Sequence, residues 1–273
     1  MPARRRQDRV LRWRAMRRAL VVVGKAPEAG LTKTRLVPPL TAHEAAELYR
    51  AFLLDAIDLA LRVGSERLSV VHPRGAAPGL KQLLPPVVHL LEQPGHGLGD
   101  ALTFAFERHF QSGFERVVLI GSDNPTLAPE PLEQAFAALE TYDLSIGPSA
   151  DGGYYLIGLR QAHLSLFQGI DWSTPRVYAQ TLARARALNL REHAVAEWYD
   201  VDSPDDLERL QLELRSTGER LARHTRAALK RTTDVRPTSR CWPTSPAAER
   251  LVTDWARVAA ARLLRRQRFR PRP

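Results

Sequence analysis

The chain is short of the residues and runs that define several common protein classes. Its 273 residues include one cysteine, Cys241, so an internal disulfide framework is excluded. No apolar run approaches the roughly eighteen residues that a membrane-spanning helix needs. The arginines between Arg4 and Arg18 are not followed by a cleavable signal pattern, and the expected location is cytoplasmic. His43 and His96 have no second His or Cys at zinc-ligand spacing. No Gly-x-Ser-x-Gly elbow is present, which weighs against an α/β-hydrolase.

What is present is strongly partitioned by charge. Residues 1–18 hold eight Arg and one Asp, a net of +7, and residues 215–273 hold sixteen Lys or Arg and four acids, a net of +12. The 19–214 body therefore carries −9 within a chain of net charge +10. A protein that binds nucleic acid or another anionic surface through its Arg-rich ends is a reading from a different class. It is disfavoured because the acidic body would repel a polyanion and the ends lack interleaved aromatics for stacking. Met16 stands just before the first apolar run and is a candidate initiator, in which case the 1–18 arm would not be translated.

The body alternates apolar runs with helical periodicity. Ala19–Val23 reads as a strand, and Thr41 with Glu44 forms a capping box for a helix reaching about Val63. Leu68–His72 and Val87–Leu91 read as short buried strands around a Pro/Gly-punctuated link, followed by a Gly-rich turn and a helix over about 99–111. Val117–Ile120 is a further strand, and Pro129 starts a helix over 130–140. Leu144–Gly147 and the apolar end of SADGGYYLIGL have no room for a helix between them, so a strand in a different direction is expected. A helix over about 175–188, a strand near 191–196 and a helix capped by Ser203, with Pro204 at its first position, complete the body near residue 215. This alternation implies a three-layer α/β/α fold with a mostly parallel sheet, whose ligands sit beyond the carboxyl ends of the strands.

Three motifs converge on that edge. ALVVVGKAPEAGLTKTR runs from strand into a loop in which Gly24 and Gly30 allow close backbone approach while Lys25, Lys33 and Arg35 neutralise an anion. It is not a Walker A loop, since Leu31 stands where that motif has Lys. The turn carrying Gly97 and Gly99 also follows a strand and is a second candidate for nucleotide phosphate contacts. Asp123 in GSDNPTL directly follows a strand, and Pro125 delays any helix, so its carboxylate is expected at the ligand edge. A hard cation such as Mg²⁺ or Mn²⁺ prefers such oxygens. Asp200 and Asp202 in YDVD share one face of an extended segment, with Asp202 the candidate second metal ligand; helix capping is its alternative role. Asp151 lies beside Gly152 and Gly153, where small residues would admit substrate. Asp151 is read as a base or substrate contact, with an Asx turn as the alternative.

GKAPEAGLTKTRL, GSDNPTL, ADGGYYLIGL and WYDVDSPDDL, in this order, resemble the DUF2064 group of GT-A-like glycosyltransferases, also called rSAM/selenodomain-associated transferase 1. The resemblance covers about residues 19–214. It implies the nucleotide-diphospho-sugar transferase fold, shared with the molybdenum-cofactor and phospholactate nucleotidyltransferases. It further implies that Lys25, Lys33 and Arg35 face nucleotide phosphates and that Asp123 takes the place of the metal-binding acid. GSDNP lacks the second carboxylate of the usual Asp-x-Asp, so metal binding needs a distant partner, for which Asp202 is the candidate.

The expected activity is metal-dependent transfer of a sugar from a nucleoside diphosphate sugar to an acceptor of unknown identity. The alternative is nucleotidyl transfer from a nucleoside triphosphate. Beyond the body, 216–244 reads as a linker, and 245–273 as a basic amphipathic helix in which Leu251, Trp255, Val258, Ala259 and Leu263 recur at helical spacing. Such a helix suits docking on the body, a protein partner or a peripheral membrane surface.

Overall fold

Seven strands form one sheet: β1 (Arg18–Val23), β2 (Arg67–His72), β3 (His89–Glu92), β4 (Arg116–Gly121), β5 (Leu144–Pro148), β6 (Tyr154–Leu159) and β7 (Glu192–Ala194). They belong to a computed structural model that describes residues 17–234. The sheet order is β3-β2-β1-β4-β6-β5-β7. Strand β1 pairs in parallel with β2 and β4, and β2 with β3 and β5 with β7 are also parallel. Strand β6 runs antiparallel to both β4 and β5, as its sequence context requires. The short link 149–153 between β5 and β6 cannot hold the crossover that parallel neighbours need.

The helices are α1 (Ala42–Val63), α2 (Ala77–Leu83), α3 (Leu98–Gln111), α4 (Pro129–Ala138), α5 (Val177–Ala187), α6 (Pro204–Ser216) and α7 (Arg223–Asp234). Strand β1 has no polar position between its ends because both of its faces are covered. Leu20 and Val22 pack with Leu53 and Ile57 of α1 and Phe136 of α4, while Val21 packs with Leu102 and Phe106 of α3. Among the described residues no helix is long and apolar enough to cross a membrane.

Capping decides where α1 begins. Thr41 Oγ1 accepts from the Glu44 backbone N–H at 3.2 Å, and Thr41 N donates to Glu44 Oε2 at 2.6 Å. The same device starts α6, where Ser203 and Asp206 satisfy each other's backbone N–H groups and Pro204 occupies the first turn.

Three boundaries differ from the sequence reading. The 1–18 arm does not end where expected, since Arg18 begins β1 and Arg17 N donates to Glu115 Oε2 at 3.1 Å. The link 73–86 contains α2, whose burial rests on Leu80. Residues 216–244 are not only a linker, because α7 lies within them. Its apolar face is narrow, made of Ala228 and Leu229 with Leu221 and Ala222 just before it, and its start is anchored by a polar group on another helix. Asp55 of α1 accepts from His224 N at 3.0 Å, Thr225 N at 2.8 Å and Thr225 Oγ1 at 2.7 Å, capping α7 from another helix. Ala222 and Ala228 join Phe52, Leu210 and Val201 in a third apolar cluster. One ligand atom each from Asp55, Asp58 and His224 lies within 4.8 Å of the others, a grouping that could suit a cation. Their oxygens are committed, however, to the start of α7 and to Arg223, whose Nε lies 2.7 Å from Asp58 Oδ2. The expected basic helix at 245–273 and the arm up to residue 16 lie outside the described residues.

Candidate active site

A cavity of about 790 Å³ opens beyond the carboxyl ends of β1 and β4. Of the residues singled out in the sequence, Gly24, Lys25, Lys33, Arg35, Gly97, Asp123, Asp151, Gly153 and Asp202 line it. Motifs that lie up to 178 residues apart along the chain therefore meet at one edge.

The loop after β1 is held from behind by a buried phenol. Tyr49 of α1 accepts from the Lys25 backbone N–H at 3.0 Å and pairs with Ser122 Oγ at 3.1 Å, tying the loop to the end of β4. Burial, with the Asp123 charge adding to it, pushes the Tyr49 hydroxyl up to about 12, so it stays a neutral hydrogen-bonding group. Lys25 Nζ donates to the Leu31 carbonyl at 2.9 Å and closes the loop. Tyr49→Phe is expected to lower stability by about 1–2 kcal/mol, since it orphans a backbone N–H and a buried hydroxyl. Denaturant unfolding measures this, and an unchanged midpoint would show the hydroxyl to be idle.

Lys33 departs from the expectation that it simply faces phosphate. Its Nζ lies 2.8 Å from Asp123 Oδ1 and 2.7 Å from Asp202 Oδ1, with the side chain only 5% exposed. Burial alone would lower its pKa, but the charges of Asp123 and Asp202 outweigh burial and hold it above the usual lysine value. The ammonium therefore occupies the position between the two carboxylates proposed as metal ligands. Lys33 also takes a left-handed backbone conformation, φ 49°, at the entry to the short 3₁₀ turn Thr34–Leu36. Arg35 lines the cavity from the same turn.

The acidic side is stitched together by backbone and amide contacts. Val201 N donates to the Asp123 carbonyl at 3.0 Å, and Asn124 Nδ2 donates to the Tyr199 carbonyl at 2.7 Å and to Asp200 Oδ1 at 2.8 Å. GSDNP and YDVD thus form a single unit. Asp200 also lines the cavity and takes a short hydrogen bond from Ser149 Oγ. Burial, reinforced by the charges of Asp123 and Asp151, pushes its carboxyl up to about 6 against the opposing bonds from Ser149 and Asn124. Asp151 forms an Asx turn, accepting from Gly153 N at 2.9 Å through Oδ1. Its Oδ2 has no hydrogen-bond partner among the described residues.

Three glycines of the sequence reading do not line the cavity. Gly30 supplies a turn at φ +81°, and Gly99 lies against the Trp172 indole, where any Cβ would collide with Nε1. Gly152, at φ +87°, lets the Pro175 carbonyl cross over it. These crossings seat Ser173, Thr174 and Pro175 on the cavity, a wall that the sequence reading missed along with Tyr49, Ser122, Gln93 and the site position of Asp200. The Ser-Thr-Pro punctuation after Trp172 was the available signal for that wall. Tyr49, on a regular helix, offered none.

The mostly parallel sheet carries a cation-bearing loop and clustered carboxylates at its carboxyl edge, and its fold matches that of solved transferases of the nucleotide-diphospho-sugar type. A family model described as "Uncharacterized protein conserved in bacteria (DUF2064)" matches residues 57–174. The crystal structure of a candidate nucleotide-diphospho-sugar transferase from Desulfovibrio desulfuricans G20 is 32% identical, with a TM-score of 0.74, covering 80% of this chain and 96% of that one. The chain belongs to the nucleotide-diphospho-sugar transferases, and its 57–174 segment matches the DUF2064 model. It is also 34% identical over 116 residues to phosphoenolpyruvate guanylyltransferase of Mycolicibacterium smegmatis (strain ATCC 700084 / mc(2)155), a match covering 41% of this chain and about half, 51%, of that relative. The 4-diphosphocytidyl-2C-methyl-D-erythritolsynthase of Anaerococcus prevotii DSM 20548 shares the fold at 9% identity, with a TM-score of 0.52 over 73% of this chain and 96% of that one.

Proposed function

We propose that this chain moves a sugar from a nucleoside diphosphate sugar to an acceptor hydroxyl. The observation that carries this reading is the distribution of charge around the cavity. The cations lining it, Lys25, Lys33 and Arg35, all come from the loop after β1, whereas the lining from 151–157 and 173–177 carries none. A diphosphate suits the first part and an uncharged sugar and acceptor suit the second. The oxygen donors Asp123 and Asp202 already share one cationic partner, so as a set they fit Mg²⁺ or Mn²⁺. A divalent ion held there would supply charge neutralisation for the departing diphosphate. Arg35 and Lys25 bind the phosphates, Gly97 at the start of α3 adds a helix N-terminus, and Asp151 Oδ2 takes the acceptor proton.

A second reading, nucleotidyl transfer from a nucleoside triphosphate, is favoured by the resemblance to the guanylyltransferase named above. Product analysis separates the two. Released nucleoside diphosphate from a panel of nucleotide sugars with Mn²⁺ supports sugar transfer, whereas pyrophosphate released from a triphosphate replaces it with the second reading. Arg35→Ala is expected to weaken nucleotide binding by about 1.5–3 kcal/mol, the scale of a charged hydrogen bond. Calorimetric titration measures this, and unchanged affinity would return the loop to a structural role.

A further inference from the structure

Lys33 is placed where a metal ion and a phosphate would each claim it. Its ammonium is nearly buried, lies 2.8 Å and 2.7 Å from one oxygen of each carboxylate, and stands 5.7 Å from the centre of the Phe52 ring. A left-handed backbone at a non-glycine residue is strained and persists where its surroundings fix it. Here the Lys33 N-terminal flank, the loop pinned by Tyr49, and the 3₁₀ turn on its other side hold the side chain toward the carboxylates. Arg35 and Lys25 line the same cavity within two and eight positions in sequence, so a phosphate held by them would lie in the same compartment as the Lys33 amine.

Building on the nucleotide-sugar reading above, we infer that Lys33 is an internal counter-cation that competes with the divalent ion for Asp123 and Asp202. It keeps the two carboxylates closed to metal until phosphate oxygens draw the ammonium away. Metal and donor then bind cooperatively because each removes an obstacle to the other, a coupling that must be reciprocal in affinity. Lys33 is thus a positioning residue with two alternative sets of partners. The direction of its effect sets this role apart from simple support of the loop, since removing a supporting side chain would loosen the metal site, whereas removing a competitor tightens it.

The test is Mn²⁺ titration by electron paramagnetic resonance on the full chain without nucleotide. Lys33→Met keeps the approximate length of the side chain and removes its charge, and Lys33→Gly removes the charge while relieving the left-handed backbone. Both are expected to bind Mn²⁺ at least about tenfold more tightly than the unaltered chain, and the gain is expected to vanish when Asp123→Asn is added. Affinity equal to or weaker than that of the unaltered chain would overturn the inference while leaving the metal reading in place. A gain that survives Asp123→Asn would also overturn it, by locating the ion elsewhere. Absence of Mn²⁺ binding in every variant would remove the metal assignment together with the inference.

Discussion

Asp123→Asn is expected to reduce metal-supported transfer by about 10²-fold or more while leaving the fold intact. The amide matches the carboxylate in size but withdraws one negative charge from the pair that Asp123 forms with Asp202. The backbone at this position is fixed independently of the side chain, because the Asp123 carbonyl accepts from Val201 N at 3.0 Å and Asn124 is tied to Tyr199 and Asp200. Lys33 keeps Asp202 as a charged partner in the variant. Melting is therefore expected to move by a few degrees at most. Turnover measured across a Mn²⁺ or Mg²⁺ series checks this. Activity equal to that of the unaltered chain at ordinary metal concentration would remove Asp123 from the metal site.

Ending the chain at residue 215 is expected to cost about 3–5 kcal/mol of stability, the range for stripping partners from a buried charge. The loss removes both N–H groups and the Thr225 hydroxyl that bind Asp55, along with the cover that Ala222 and Ala228 give the cluster around Phe52. Asp55 is already held above the usual carboxylate range by burial, against the opposing bonds from Thr225 and His224. Ending the chain at 215 removes those bonds and part of the cover over the carboxyl together. Denaturant unfolding checks the size. Asp55→Asn in the shortened chain is expected to recover part of the loss. A shortened chain as stable as the full one would show that the domain ends before α7.

Sheet composition was legible because parallel strands covered on both faces are mostly apolar at interior positions, as in Leu20–Val22 and Val117–Ile120. The antiparallel β6 was legible from the shortness of its link, and the starts of α1 and α6 from their capping boxes. α7 was not, because the inward positions at helical spacing in and just before it, 221, 222, 225, 228 and 229, include only two large apolar residues among alanines and a threonine, and its start is fixed by Asp55, 170 residues away in sequence.

The site divides in the same way. Strand order and loop position brought Lys25, Arg35, Asp123, Asp151 and Asp202 to one edge, and this follows from local pattern together with the rule that ligands collect beyond the carboxyl ends of strands. The partners of each side chain were decided in three dimensions. Lys33 reads as one more phosphate cation in its loop, but tertiary packing sets it between Asp123 and Asp202. Asp200 and Asp202 stand two positions apart on one extended segment, but the neighbourhood of Ser149 and Asn124 commits Asp200 while Asp202 is left to Lys33. Residue types and their order along the chain determined which chemistry could gather at this edge. Because electrostatic pairing falls steeply with distance and with exposure to water, only the folded arrangement decided which charges meet.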